Sequence, residues 1–241
     1  MSALTYLALD GDGFGPEIMA ATLAVLETVQ PLLGRGIEVQ HAKIGFAALQ
    51  AEGSTIPAAV IAKARRADAV LLGPVSHNTY PAKELGRLNP SVVLRKELDL
   101  YANIRPARVW NGVKAPSRRP FHLIVARENL EGFYADRNMH EGGGEFMPVP
   151  GVALAVRRIT EEASLRIARK GFELAAARPA KRVAAIHKAN VMRLSDGVFL
   201  NAVRSVARDY PDIAYEEVLE SQPDLVPELV LEAARLYFHQ I

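Results

Sequence analysis

Arg95, Arg105 and Arg127 are the residues of this chain best suited to chemistry. They lie in Leu94-Arg95-Lys96-Glu97-Leu98-Asp99-Leu100-Tyr101-Ala102-Asn103-Ile104-Arg105-Pro106 and in Arg127-Glu128-Asn129-Leu130-Glu131-Gly132-Phe133-Tyr134, otherwise apolar or turn-like surroundings. A guanidinium stays charged at any working pH and offers a planar fork of donors, so three of them converging on one cleft make a receptor for a small acid with more than one carboxylate. A single arginine is more often a solvated surface residue. The company of Tyr134, Lys188 and Asn190 is what favours a site. A lysine at a strand end and a tyrosine after a carboxylate-binding arginine are candidates for general base and general acid, provided burial and neighbouring charge lower their proton affinity.

A second candidate is Asp12-Gly13-Phe14-Gly15-Pro16-Glu17, small residues beside a helix start that can face an anion. It lacks the Gly-x-Gly-x-x-Gly spacing of a dinucleotide fingerprint, and taken alone such a turn is more often an ordinary strand-to-helix passage. His41, His77, His122, His140 and His239 show no metal-ligand spacing and read as structural or surface residues. Ser195-Asp196 reads as a helix cap.

Positioning these groups takes a layered fold. The chain has 241 residues, 49% of them hydrophobic and 23% charged, the profile of a soluble globular protein. Its 29 basic and 27 acidic residues are dispersed, which argues against nucleic acid and for an acidic small molecule. With no cysteine, thiolate metal sites and a cysteine nucleophile are excluded. No membrane-length apolar run and no basic start to a signal peptide are visible, so a cytoplasmic address is expected.

Thr5 to Leu9 predicts a strand that runs through the glycine turn into a helix with Ile18, Thr22, Val25, Leu26 and Val29 on its apolar side. A strand over 37–44, helices near 46–51 and 57–64, and a buried strand over 67–74 follow. Residues 74–92 predict a long loop ending in a short helix, and Phe121 to Arg127 a strand carrying Arg127 to its carboxyl end. The turn-rich stretch around Gly142-Gly143-Gly144 and the alternating 152–159 strand suit a protruding arm. Thr160 predicts the N-cap of a helix whose stripe is Ala163, Ile167, Ala168, Gly171, Phe172 and Ala175. Arg182 to Ile186 delivers His187-Lys188-Ala189-Asn190, a strand is expected over 213–219, and the last segment, 223–241, patterns as an amphipathic helix on Leu229, Val230, Ala233, Leu236 and Tyr237. Alternating strands and helices predict an α/β class.

Four ordered motifs carry a resemblance: Asp12-Gly13-x-Gly15-Pro16-Glu17, Leu94-Arg95-Lys96-x-Leu98-Asp99-Leu100-Tyr101-Ala102-Asn103-x-Arg105-Pro106, Arg127-Glu128-Asn129-x-Glu131-Gly132-x-Tyr134 and His187-Lys188-Ala189-Asn190-Val191. From about Leu4 to about Val218 the chain resembles the isocitrate/isopropylmalate dehydrogenase family, which includes tartrate and homoisocitrate dehydrogenases. The resemblance implies a layered α/β sheet with a second, smaller α/β domain and a protruding dimer arm. Residues 1–103 would begin the large domain, 104–220 would form the substrate and dimerisation domain with its arm at about 135–158, and 221–241 would be a helix outside the family pattern.

The implied activity is NAD- or NADP-dependent oxidation, with decarboxylation, of a small di- or tricarboxylic 2-hydroxy acid such as 3-isopropylmalate, isocitrate or tartrate, with Mg²⁺ or Mn²⁺. On that carry-over Arg95, Arg105 and Arg127 bind carboxylates, Tyr134 protonates the enolate and Lys188 assists removal of the hydroxyl proton. Asp12, Gly13, Gly15, Glu17 and Asn190 line the cofactor side. In the loop before Arg95, Asn89 and Ser91 suit a third carboxylate, whereas Leu88 and Val92 suit an isopropyl group, and both choices stand.

The chain departs from the family after about Leu219. The family's aspartate reaching into a partner's site, its metal-binding aspartates and its adenosine loop have no counterpart; Ser221 takes the first position, and Glu220, Asp224 and Glu228 lie in a stretch without family likeness. Residue 10 is Asp where the family usually has Pro. The expectation is therefore a C-terminally truncated member with no metal ligands of its own and with catalysis impaired. It would act as a homodimer, or as a binding subunit paired with a full-length relative.

Overall fold

The structure, a computed structural model, describes residues 3–82, 85–86, 88–114, 120–133, 143–219 and, for their backbone, 234–237. These fall into two units, Met1–Asp99 and Leu100–Ile241, the division lying just before the expected 103/104 boundary.

The first unit is a three-stranded parallel sheet with β2 (Ile37–Ala42) and β3 (Ala69–Leu72) on either side of β1 (Leu4–Leu9). Leu7 and Leu9 pack with Ile44, Ile56, Val60, Ala64 and Leu94 in its core. That brings α2 (Gly45–Glu52), α3 (Ala58–Arg66) and α4 (Pro90–Glu97) to the sheet. The first helix, α1 (Gly15–Val29), carries Pro16 in its first turn as predicted, but its inward side differs. Met19 is buried and Leu23 and Leu26 half-buried, whereas Ile18 and Val25 are exposed. The helix is apolar on most sides, so two adjacent stripes fit a 3.6-residue period and only tertiary packing selects between them.

The second unit is a five-stranded sheet in the order β4-β5-β10-β8-β9: β4 (Ala102–Arg108), β5 (His122–Glu128), β8 (Arg182–His187), β9 (Ala214–Leu219) and β10 (Ala234–Tyr237). β4 runs antiparallel to β5, and β5, β10, β8 and β9 are mutually parallel. The helices α5 (Glu161–Ala176) and α6 (Arg193–Ala207) cover it, with Ile167, Phe172, Phe199 and Val203 buried, each contributing about 1.5–3 kcal/mol of burial. Every residue of the predicted α5 stripe is buried, and Thr160 caps the helix by accepting the Ala163 N–H. A separate hairpin, β6 (Glu145–Val149) with β7 (Val152–Ala155), stands where the arm was expected. All its residues are exposed, Phe146, Met147, Val149, Val152 and Leu154 among them.

Two expectations are corrected. Within the tail patterned as a helix, Ala234–Tyr237 is a strand, β10, lying between β5 and β8. Two parallel strands facing an empty slot present unpaired N–H and C=O groups on both sides, and satisfying them outweighs a helical apolar pattern. Ser195-Asp196 does not cap α6, whose N-cap position is Met192. Asp196 sits in the first turn and binds elsewhere, as shown below.

Candidate active site

Arg105 and Arg127 share one face of the β4–β5 pair. Asn103 stands directly opposite Arg127 in the antiparallel register, and residues 103 and 105 point to the same side because side chains alternate along a strand. A hydrogen-bonded chain joins them. Arg105 Nε donates to Asn103 Oδ1 at 3.1 Å, Asn103 Nδ2 to Asn129 Oδ1 at 3.5 Å, and Arg127 Nη2 to the same Asn129 oxygen at 3.1 Å. Asn129 is held in turn by donating to the Leu100 carbonyl at 3.2 Å and through its own N–H, which donates to the Tyr101 carbonyl. Arg127 is buried and Arg105 exposed, so this face offers one desolvated and one solvated guanidinium.

The turn after Arg127 is fixed by its own carboxylates. Glu128 accepts the N–H groups of Leu130 and Glu131 and a bond from Arg166, which also stacks over the Tyr101 ring. Burial raises the Glu128 pKa above the usual carboxylate range, while those three donors oppose the shift. Glu131 accepts from both the N–H and the hydroxyl of Thr160, tying the turn to the start of α5. Tyr134, the candidate acid, lies outside the described residues, as do Glu220, Ser221, Asp224 and Glu228.

Lys188 lies at the same edge of the sheet. Arg127 on β5 and Ile186 on β8 are both level with Tyr237 of β10, so two strand spacings, about 10 Å, separate their backbones. Lys188 follows β8 directly, and it is half-buried while Asn190 is exposed. Ligands of open α/β sheets bind outside the carboxyl ends of parallel strands, which is where Arg127 and Lys188 stand. His187 keeps the loop in shape by accepting the Ala189 N–H on Nδ1 at 3.1 Å, and burial lowers its pKa and favours that neutral state.

In the first unit, Ser91 and Arg95 are four residues apart on α4 and share a helix face, with Arg95 half-buried. Asn89 is the N-cap of α4, its side-chain oxygen accepting the N–H groups of Ser91 and Val92. That use accounts for Asn89 without a ligand. Asp12 is likewise turned inward. It accepts the N–H groups of Phe46 and Ser76 and the Tyr80 hydroxyl, whose pKa burial and the Asp12 carboxylate push upward. A Cβ on Gly15 would come within 2.1 Å of the Asp10 carbonyl oxygen, so this glycine serves close packing of backbone. Gly13 faces open space and Glu17 is exposed, leaving these two as the accessible members of the predicted cofactor turn.

Four contributors escaped the sequence reading. Asn103 and Asn129 orient the arginines, and Arg157 with Asp196 forms a buried pair beside Lys188. Both asparagines lie inside the quoted motifs, but their link depends on the pairing of β4 with β5. Among the described residues no three His, Asp or Glu side chains group as a metal site. No helix among them is long and apolar enough to cross a membrane.

The sequence pattern of the isocitrate/isopropylmalate dehydrogenase family matches residues 6–222. A 3-isopropylmalate dehydrogenase of Archaeoglobus fulgidus is 36% identical over 88% of this chain and 58% of its own length. The catalytic subunit 5 of a mitochondrial NAD isocitrate dehydrogenase of Arabidopsis thaliana is 38% identical over 90% of this chain and 54% of its own. A crystal structure of isocitrate dehydrogenase from Methylococcus capsulatus superposes with a TM-score of 0.77 at 29% identity, covering 97% of this chain and 66% of that one. The chain thus spans a little over half the length of these curated relatives. Match length, identity and superposition agree with the four motifs, and the chain belongs to the isocitrate/isopropylmalate dehydrogenase family.

Proposed function

We propose that the chain binds a small di- or tricarboxylic 2-hydroxy acid at the carboxyl edge of the second unit's sheet, as part of an NAD- or NADP-dependent dehydrogenase. The observation that carries this reading is the Arg105–Asn103–Asn129–Arg127 chain. Two guanidiniums are oriented before any ligand arrives, which lowers the ordering cost of binding a carboxylate bidentately. Asn129 restrains Arg127 by accepting from its Nη2, which fixes the plane of the guanidinium. Arg95 and Ser91 on α4 are the first unit's candidates for a further carboxylate.

Lys188, at the edge shared with Arg127, is the candidate for drawing the proton from the substrate hydroxyl as it becomes a ketone. Tyr134 is proposed to return a proton to the enolate after decarboxylation. A nicotinamide cofactor would supply the hydride acceptor, and Gly13, Glu17 and Asn190 are the residues proposed to line it. Relatives named for NAD and, in Thermus thermophilus, for NADP support either cofactor, and those named for isocitrate and for 3-isopropylmalate support either acid. The exposed apolar hairpin β6–β7 is proposed to be covered by a second copy of the chain or by a full-length relative, since a lone two-stranded hairpin is marginal in water.

Turnover tests this reading. Initial rates of NAD and NADP reduction would be measured with 3-isopropylmalate, isocitrate and tartrate, with Mg²⁺ or Mn²⁺ supplied. Reduction that Lys188→Met lowers by about a hundredfold or more, the low end of a general-base effect, is the expected result. Binding without turnover would instead make the chain an acid-binding subunit.

A further inference from the structure

Arg157 and Asp196 form a charged pair whose side chains are only 8% and 4% exposed, with Arg157 Nη1 donating to Asp196 Oδ1 at 2.5 Å. Arg157 also donates to Ser195 Oγ at 2.8 Å and approaches the Met192 sulfur at 3.3 Å. Well-packed apolar side chains of the same volume would be as stable as a buried ion pair, so its presence calls for a use beyond stability. The second oxygen of Asp196 supplies one. It accepts the backbone N–H of Lys188 at 2.5 Å, while the Lys188 carbonyl accepts the N–H groups of Val191 and Met192. Both polar groups of the Lys188 backbone are thereby committed, and the direction in which its side chain leaves the loop follows from them.

The other end of this connection reaches the turn that carries Arg127. Arg158, next in the chain to Arg157, exchanges both backbone hydrogen bonds with Gly132, at 2.8 and 3.0 Å. Gly132 closes the turn that Glu128 and Glu131 hold. Residues 157 and 158, at the foot of the β6–β7 hairpin, therefore bracket two loops at once, the Arg157 side chain on the Lys188 loop and the Arg158 backbone on the Arg127 turn.

We propose that Arg157 and Asp196 are positioning residues that hold Lys188 in register with the carboxylate-binding Arg127. This rests on the reading of Lys188 given under Proposed function. A displacement of a reacting group by about 1 Å costs on the order of a hundredfold in rate, so a device that fixes the loop backbone bears directly on activity. Substrate carboxylates would still find their arginines without it, because the Asp196 carboxylate is engaged with Arg157 and the Lys188 backbone.

Isotope-coded acetylation of the full chain, resolved by mass spectrometry, reads how strongly 3-isopropylmalate, isocitrate or tartrate shields the Lys188 amine, and calorimetry reads the affinity of the same acid. In the unmutated chain the tightest of these acids is expected to slow acetylation of Lys188 about tenfold or more. In Asp196→Asn the shielding is expected to fall below about twofold while the dissociation constant changes by less than about fivefold, roughly 1 kcal/mol. Breaking a buried pair can unfold a protein, so Arg157→Lys provides a milder test. It keeps the charge but ends in a shorter, non-planar ammonium in place of the Nη1 that reaches both Ser195 and Asp196, and it should lose part of the shielding. Equal shielding in the unmutated chain and in a folded variant would overturn the positioning role and leave the reading of Lys188 standing. No shielding by any acid in the unmutated chain would overturn that reading and the proposal with it.

Discussion

At the scale of single residues, what distinguishes the candidate site is how its charged groups are held by neutral ones. Asn103 and Asn129 set the two guanidiniums, and His187 sets the loop that leads to Lys188. The histidine gives a pH prediction. Its Nδ1 accepts the Ala189 N–H, which only the neutral imidazole can do, and burial lowers its pKa in the folded chain. A lowered folded pKa means that His187 contributes its full stabilisation above the ordinary imidazole value of about 6.5 and loses it as the pH falls through the lower folded one. Amide exchange at Ala189, corrected for its intrinsic pH dependence, should be slow above pH of about 6.5 and accelerate below that lowered value. Uniform protection down to acid unfolding would contradict it. These residue roles were only partly legible in the sequence. Arg105, Arg127 and Lys188 announced themselves by type, whereas Asn103 and Asn129 depend on a cross-strand register that spacing does not reveal. Asp196 read as a helix cap because its partner Arg157 lies 39 positions away.

At the scale of elements, those with a strong local period were read correctly. The α5 stripe from Ala163 to Ala175 and the Thr160 cap follow from 3.6-residue spacing and an N-cap preference, both local properties. β10 was not legible, because its pattern fits a helix and its slot exists only once β5 and β8 are in place. Its position makes a testable claim about backbone alone. Leu236 is level with Ala126 of β5 and Ala185 of β8, and Leu236→Pro removes an N–H from the middle of the sheet. Leaving a partner group unsatisfied costs about 1–3 kcal/mol, so amide protection at Ala126 and Ala185 should drop by roughly one to two orders of magnitude. Protection at Leu7 to Leu9, in the other unit, should stay as it was. Unchanged protection at Ala126 and Ala185 would mean that β10 does not occupy the slot.

At the scale of the whole molecule, each unit has its own sheet and core, and the face proposed to receive the acid, with Arg105, Arg127 and Lys188, lies in the second. The α/β class was legible from alternating strands and helices, and family membership from four ordered motifs, which also carried the expectation of a second, smaller domain. The Arg105–Asn103–Asn129–Arg127 face, as it stands in this chain, is proposed to receive the carboxylates of a 2-hydroxy acid. Titration calorimetry of the full chain with isocitrate, 3-isopropylmalate and tartrate, repeated on Arg127→Ala, tests it most directly. Saturable binding of at least one acid, weakened about tenfold or more by Arg127→Ala, is the predicted result, since a charge-assisted bidentate contact contributes about 1.5–3 kcal/mol. An unchanged affinity in a folded Arg127→Ala variant, or no binding of any of the three acids, would contradict the account.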